Sequence, residues 1–178
     1  MISKKRELGF TLIELLVTFA ILAIVTAIAV PGFSRWLPNY RLKSATREVY
    51  SSMQLARLQA VRENAHVVLL FNTGNNSYQA FVDNGSGGGT ADNWTRDGNE
   101  HYIVDPNKGG GSMPEGVTMY EASFIGGVPR IRFDGRGFPN GLGGHVYMIN
   151  SQSKYMGNSL NLVGNARIII STDGITWN

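Results

Sequence analysis

Hydrophobic positions follow three patterns along the chain, and each change of pattern predicts a change of element. From Phe10 to Val30 they are nearly continuous, FTLIELLVTFAILAIVTAIAV, with one charge at Glu14 and a close at Pro31. A helix of that length spans about 30 Å, the hydrocarbon thickness of a bilayer, so the stretch predicts a membrane-spanning helix. From Arg41 to Glu63 apolar residues recur at helical spacing. Leu42, Ala45, Val49, Met53, Ala56 and Ala60 make one narrow stripe that is expected to bury against a sheet, its alanines letting strands approach closely. Leu55 and Leu58 lie on the other side with Ser51 and Arg62. Contact with neighbouring subunits is the favoured account of these leucines, set against the ordinary scatter of exposed ones.

Beyond Asn64 the period shortens to that of strands. The candidates are His66–Asn72, Ser77–Val82, Val117–Ser123, Arg130–Asp134, His145–Asn150 and Ala166–Thr172, bounded by Gly, Asn and Pro. The TGNN after the first predicts a hairpin, and Asp173-Gly174 predicts another turn leading to a short last strand, Ile175–Trp177. Residues 83–116 are rich in Gly, Asn and Asp, with only His101–Val104 strand-like. Loops of this length are functional or disordered, and the sequence leaves both open. A long helix followed by short strands predicts an α+β fold, with an antiparallel sheet packed on the helix. Between the apolar and amphipathic halves, Pro31 and Pro38 flank Gly32, and a kink or local unwinding is expected there. Phe33, Trp36 and Tyr40 then stand either at a membrane surface, where aromatic rings are favoured, or in a simple hinge.

Charge changes the picture once its distribution is considered. The chain carries 16 Lys and Arg against 13 Asp and Glu, but Lys4, Lys5 and Arg6 stand together before the apolar run. Such a cluster holds the N-terminus in the cytoplasm and sends the remainder across the membrane. Without residues 1–9 the surplus falls to a single positive charge, and residues 64–178 are mildly acidic. A clustered basic footprint for nucleic acid is therefore missing. There is no cysteine, which excludes thiolate metal sites and thiol nucleophiles, and leaves an exported domain to be held by its core and sheet.

The string KKRELG-FTLIELLV resembles the leader of type IV prepilins and type II secretion pseudopilins. The resemblance implies cleavage by a prepilin peptidase after Gly9, N-methylation of Phe10, and a filament-assembly role for Glu14, whose partner would be the methylated amino group of Phe10 on a neighbouring subunit. A carboxylate in hydrocarbon is costly and needs such a partner. An ordinary secretory signal fits less well, because the apolar run exceeds the usual 7–15 residues and no A-x-A-like site comes after it. A second resemblance, to the GspH/FimT group of minor pseudopilins and minor pilins, rests on Leu55, Ala56, Arg57 and Ala60 followed by Val67–Phe71. Together the two imply a pilin-like fold divided into leader 1–9, transmembrane helix 10–30, kinked and amphipathic continuation 31–63, and periplasmic β-rich domain 64–178. They imply a structural minor subunit anchored in the bacterial inner membrane, whose partners are the peptidase, other pilins or pseudopilins, and lipid. The alternative is a filament-tip module that contacts DNA, a surface or a secreted substrate.

Other chemistry is weakly supported. Asp92, Asp97 and Glu100 crowd one loop with Asn93, Asn99 and Asp105 and are weak calcium candidates, but Trp94 and Arg96 occupy positions where an EF-hand series needs oxygens. His66, His101 and His145 lie in separate candidate strands without metal-ligand spacing. Gly135, Gly137, Gly141, Gly143 and Gly144 come after a strand but precede no helix, so phosphate cradling is not expected. DNA-binding members of the FimT-like group use a basic Gly-Arg-x-Arg-like element near the C-terminus; here Gly174 is followed by Ile175, Thr176 and Trp177. Arg130, Arg132 and Arg136 are the weak remaining candidates, so nucleic acid is an unlikely partner. No catalytic residue, metal or cofactor is expected.

Overall fold

The computed structural model describes residues 10–141 and 143–178, so Gly9 and the leader lie outside the described residues. Its elements are helix α1 (Leu12–Glu63) and strands β1 (His66–Asn72), β2 (Ser77–Asp83), β3 (Tyr102–Val104), β4 (Val117–Ser123), β5 (Arg130–Phe133), β6 (Gly144–Asn150), β7 (Tyr155–Leu160) and β8 (Ala166–Ser171). The chain divides into two compact units between Leu37 and Pro38. The helical assignment runs through Pro31, Gly32 and Pro38 without an unwound turn.

In the first unit Thr11 caps the helix, its hydroxyl accepting the Glu14 N–H at 3.3 Å. Thr18 and Thr26 donate their hydroxyls to the carbonyls of Leu15 and Leu22 at 2.8 and 2.7 Å. The hydroxyls of these two threonines are thus satisfied within the helix, which suits an apolar surrounding.

In the second unit the stripe Leu42, Ala45, Val49, Met53, Ala56 and Ala60 is buried, each residue no more than 1% exposed. It shares one core with Val67, Leu69, Ile131 and Phe133 of one sheet and with Val146 and Met148 of the other. Each large side chain so buried contributes about 1.5–3 kcal/mol. Both sheets are antiparallel, in the orders β3-β2-β1-β5 and β4-β6-β7-β8. Polar groups also tie helix to sheets. Ser52 Oγ and the Tyr78 hydroxyl are 2.8 Å apart, and Asn158 Nδ2 donates to the Thr46 carbonyl at 3.1 Å.

Asn76 links the sheets. It closes the β1–β2 turn with a left-handed φ of 53°, which Asn tolerates better than most residues. Its side-chain amide donates to the Val117 carbonyl at 2.6 Å and accepts the Met119 N–H at 2.7 Å. The end of one sheet's hairpin thereby acts as a strand partner for the edge of the other.

Two expectations are corrected. Residues 155–160, absent from the predicted strands, form β7. Residues 175–177 do not form a strand: Asp173 instead gathers the Ile175 and Thr176 N–H groups at 2.9 and 2.8 Å, and the chain returns until Asn178 pairs with Ile170. The remaining predicted strands differ from the observed ones by at most one residue at an end.

The segment after β2 is ordered as a cover. One rung crosses the first sheet as Tyr102, Phe81, Val68 and Arg132. Arg96 lies over the Tyr102 ring at 4.2 Å, and the Arg132 guanidinium lies over Trp94 at 4.3 Å. Val68 and Phe81 between them are fully buried, although their register turns them away from the helix.

Candidate assembly surface

An apolar surface without cover carries the functional reading. From Phe10 to Val30 the described side chains are exposed, and α1 is long and apolar enough to cross a membrane. Phe10 precedes the helix and is 84% exposed. Glu14 stands at the third helical position above the Thr11 cap, a spacing that also fits a capping box, which the reading from sequence overlooked.

On the second unit, Leu55, Leu58 and Val61 are exposed on the helix, Leu58 by 66%. The β5–β6 and β7–β8 connections approach this end of the helix closely. Arg57 donates to the Gly164 carbonyl and to Asn165 Oδ1, both at 3.1 Å. A Cβ on Gly137 would meet Val61 at 3.0 Å, and one on Gly164 would meet the Gly137 carbonyl at 2.9 Å. Phe138, Leu162 and Val163, in those same connections, are also exposed. Large exposed apolar areas rimmed by polar groups mark interaction surfaces.

The three acidic loop candidates do not converge. Asp92 contacts His66 Nδ1; Asp97 accepts the Thr90 N–H and Asn93 Nδ2; Glu100, fully buried, accepts the N–H groups of Gly85 and Asp97 at 2.8 and 3.1 Å. They act as acceptors that hold the loop. Among the described residues no three His, Asp or Glu side chains are placed to hold a metal ion.

The arginine candidates are already engaged: Arg130 and Arg132 share one aromatic ring, and Arg136 pairs elsewhere. Arg132 stacks on Trp94 and donates to the Asp92 carbonyl at 3.3 Å, Arg130 lies 5.0 Å from the same ring, and Arg136 makes a two-pronged contact to Asp134 at 3.1 and 2.9 Å. Burial raises the Asp134 carboxyl, but the Phe138 N–H and the side chain and N–H of Arg136 outweigh it and lower the pKa overall. His145 bonds Glu121 at 2.9 Å and stacks on Tyr147, which stacks in turn on Trp177 at 3.8 Å. Burial, then the nearby Glu121 carboxylate, raises Tyr120 to about 12 and moves Tyr147 in the same direction. His101 is exposed beside a cleft along β3.

Comparison with known proteins places this arrangement. Residues 4–30 match the prokaryotic N-terminal methylation motif, and residues 45–174 match the family of the type II transport protein GspH. The chain is 34% identical over 140 residues to the pilin-like protein PilA1 of Thermus thermophilus, covering 74% of this chain and 78% of that one. Its fold is similar to the minor pseudopilin EpsH of the type 2 secretion system of Vibrio cholerae, with a TM-score of 0.51 at 11% identity, over 75% of this chain and 99% of that one. It is similar also to the type IV minor pilin FimU of Pseudomonas aeruginosa, with a TM-score of 0.51 at 13% identity, over 79% and 94% of the two chains. The chain carries the methylation motif of pilin-like proteins and belongs to the GspH family.

Proposed function

We propose that this protein is a structural minor subunit of a pilus or pseudopilus. Prepilin peptidase removes residues 1–9, cutting after Gly9, and Phe10 becomes a methylated N-terminus. Residues 10–30 anchor the subunit in the inner membrane, residues 31–63 continue the helix, and the domain of residues 64–178 stands in the periplasm. The uncovered apolar helix Phe10–Val30 carries the reading. It needs lipid before assembly and other apolar helices after it, and Glu14 then pairs with the Phe10 ammonium of a neighbour. The role is structural, and the protein catalyses nothing itself.

Intact mass of the membrane-extracted protein, with and without an active prepilin peptidase, tests the processing. A loss equal to residues 1–9 with one added methyl group is expected, and an unprocessed mass would sink the reading. Two variants separate the roles of Glu14. Glu14→Gln keeps a residue suited to the capping box but removes the charge, whereas Glu14→Ala removes both. If both variants insert in the membrane and both fail to enter filaments, the charge is what assembly needs. Normal incorporation of Glu14→Gln would show that the neighbour's ammonium is not its partner.

A further inference from the structure

Among the described residues the two sheets have four edges, and three carry hydrogen-bonded partners. On β5, Asn140 donates its N–H to the Arg132 carbonyl at 2.7 Å, and Asp134 donates to Phe138 at 2.9 Å. On β8, Ile170 and Asn178 exchange both backbone bonds, at 3.0 and 3.1 Å. On β4 the partner is the Asn76 amide. The fourth edge, β3, borders an open cleft of about 570 Å³ lined by Tyr102, Ile103 and Val104 themselves, by Glu48 and Ser52 of α1, and by Asp105. A strand edge facing a cleft is a template on which an extended chain adds as a further strand.

The walls of the cleft select the occupant. Glu48 is exposed and has no cationic partner among the described residues. Asp105 has Lys108 only at 4.0 Å, and that lysine is 85% exposed. Arg96, which also lines the cleft, is held by the Tyr102 ring of β3 and by the Glu100 carbonyl at 3.0 Å. Arg96 and Lys108 line the same cleft, so the exposed carboxylate left there without a cationic partner among the described residues is that of Glu48.

We propose that this cleft binds an extended segment of a different polypeptide, which adds to β3 as a strand and places a Lys or Arg side chain against Glu48. The segment is short. Three residues of edge span about 10 Å, and the register shift opposite Ala80 and Phe81, which leaves Ile103 between the paired Tyr102 and Val104, limits the rungs further. A second copy is a poor donor, because every described strand is already paired within its own sheet.

The test uses the full-length chain in detergent micelles and a fluorescent nonapeptide of alternating Thr and Val with a central Lys. Two companion peptides carry a central Glu or alternate prolines, and empty micelles serve as the control. Saturable anisotropy with the Lys peptide is expected, with slowed amide exchange confined to His101–Asp105. The Glu peptide and the Glu48→Gln protein should bind about two- to fivefold more weakly, the scale of a partly exposed ion pair. The proline peptide, stripped of backbone donors, should not bind. Equal binding of the proline peptide, slowed exchange elsewhere, indifference to Glu48→Gln, or an edge already protected by self-association would each overturn the proposal.

Discussion

Replacing Asn76 should uncouple the two sheets, and the geometry gives a magnitude. Its amide makes two short bonds to β4, at 2.6 Å to the Val117 carbonyl and 2.7 Å to the Met119 N–H, both partly buried. Leaving a buried donor or acceptor unmade costs about 1–3 kcal/mol, and water reaches an edge in part, so the pair is worth roughly 2–4 kcal/mol. Asn76→Gly isolates this loss, because glycine adopts the φ of 53° freely. Asn76→Ala adds about 1–2 kcal/mol for a Cβ in the left-handed region. Asn76→Asp keeps the acceptor for Met119 but sets a second oxygen against the Val117 carbonyl. Only its protonated form donates there, so its folded pKa lies above the unfolded value of about 4. The stabilising contribution of that proton is present in acid and is lost as pH rises through the folded pKa. Urea unfolding of the full chain in micelles, followed by tryptophan fluorescence, measures each variant, with an unchanged m-value as the check on two-state behaviour. A Gly variant within about 0.5 kcal/mol of the parent, the range of an ordinary surface change, would refute the coupling.

Further outcomes are set by burial and backbone conformation. Met53→Ala, at a position 1% exposed, should cost about 2–5 kcal/mol by denaturation, while Leu58→Ala, 66% exposed, should stay within about 0.5 kcal/mol. Gly109 and Gly111 both have positive φ, but a Cβ on Gly109 meets nothing within 4 Å, whereas one on Gly111 lies 2.0 Å from the Tyr78 carbonyl. Gly111→Ala should therefore lower the melting temperature well beyond Gly109→Ala, and equal shifts would contradict the packing. Tyr78, Tyr120 and Tyr147 all have pKa values raised by burial, so the neutral phenols favour the folded state. That contribution is complete below pH 10, the unfolded value, and for Tyr120 is lost as pH rises toward about 12; the decline of unfolding midpoints measured from pH 8 upward that these phenols cause should begin only above pH 10. Asp173 is held below the usual carboxylate range chiefly by the N–H groups of Thr176 and Ile175. Asp173→Ala should speed amide exchange at those two residues and at Ile170, leaving the core unchanged.

The helix was legible because one periodic stripe sufficed: all six residues from Leu42 to Ala60 in the predicted face are buried. β7 was hidden by its own middle residues. Gly157 and Asn158 have low strand propensity, yet glycine is needed because a Cβ would meet the Val146 carbonyl at 2.6 Å, and Asn158 is inside because it bonds the helix. Such reasons are tertiary and leave no local pattern. The terminal strand failed for the opposite reason. Ile175 and Trp177 have strand propensity, but the Asp173 carboxylate captures the N–H groups that a strand would have used. The loop of residues 83–116 could not be judged from composition, since its order depends on Trp94 and Arg96 meeting arginine and tyrosine side chains on other strands. On the exposed face of the helix, Leu55 and Leu58 could be read from helical spacing alone. Phe138, Leu162 and Val163 join that end of the molecule only because glycines let the connections approach the helix.

Under the proposed function, polymerisation through the helix carries a second hazard, because antiparallel sheets could polymerise as well. The edge devices bear on this directly. Asn76 occupies the start of β4, and the register shift between Met119 and Glu121 bends the remainder of that strand. Asn140 and Asn178 occupy β5 and β8. The last edge is β3, three residues long with a shift of its own, and an edge of that kind can accept a short strand but cannot propagate one. Strand-by-strand growth is thereby opposed at all four described sheet edges, which under the proposed function leaves the exposed apolar surface of Phe10–Val30 to direct assembly. The same division explains why the domain can hold an acidic loop and a half-exposed aromatic row without risk to the fibre. Neither offers the continuous unpaired backbone that fibre growth through a sheet requires.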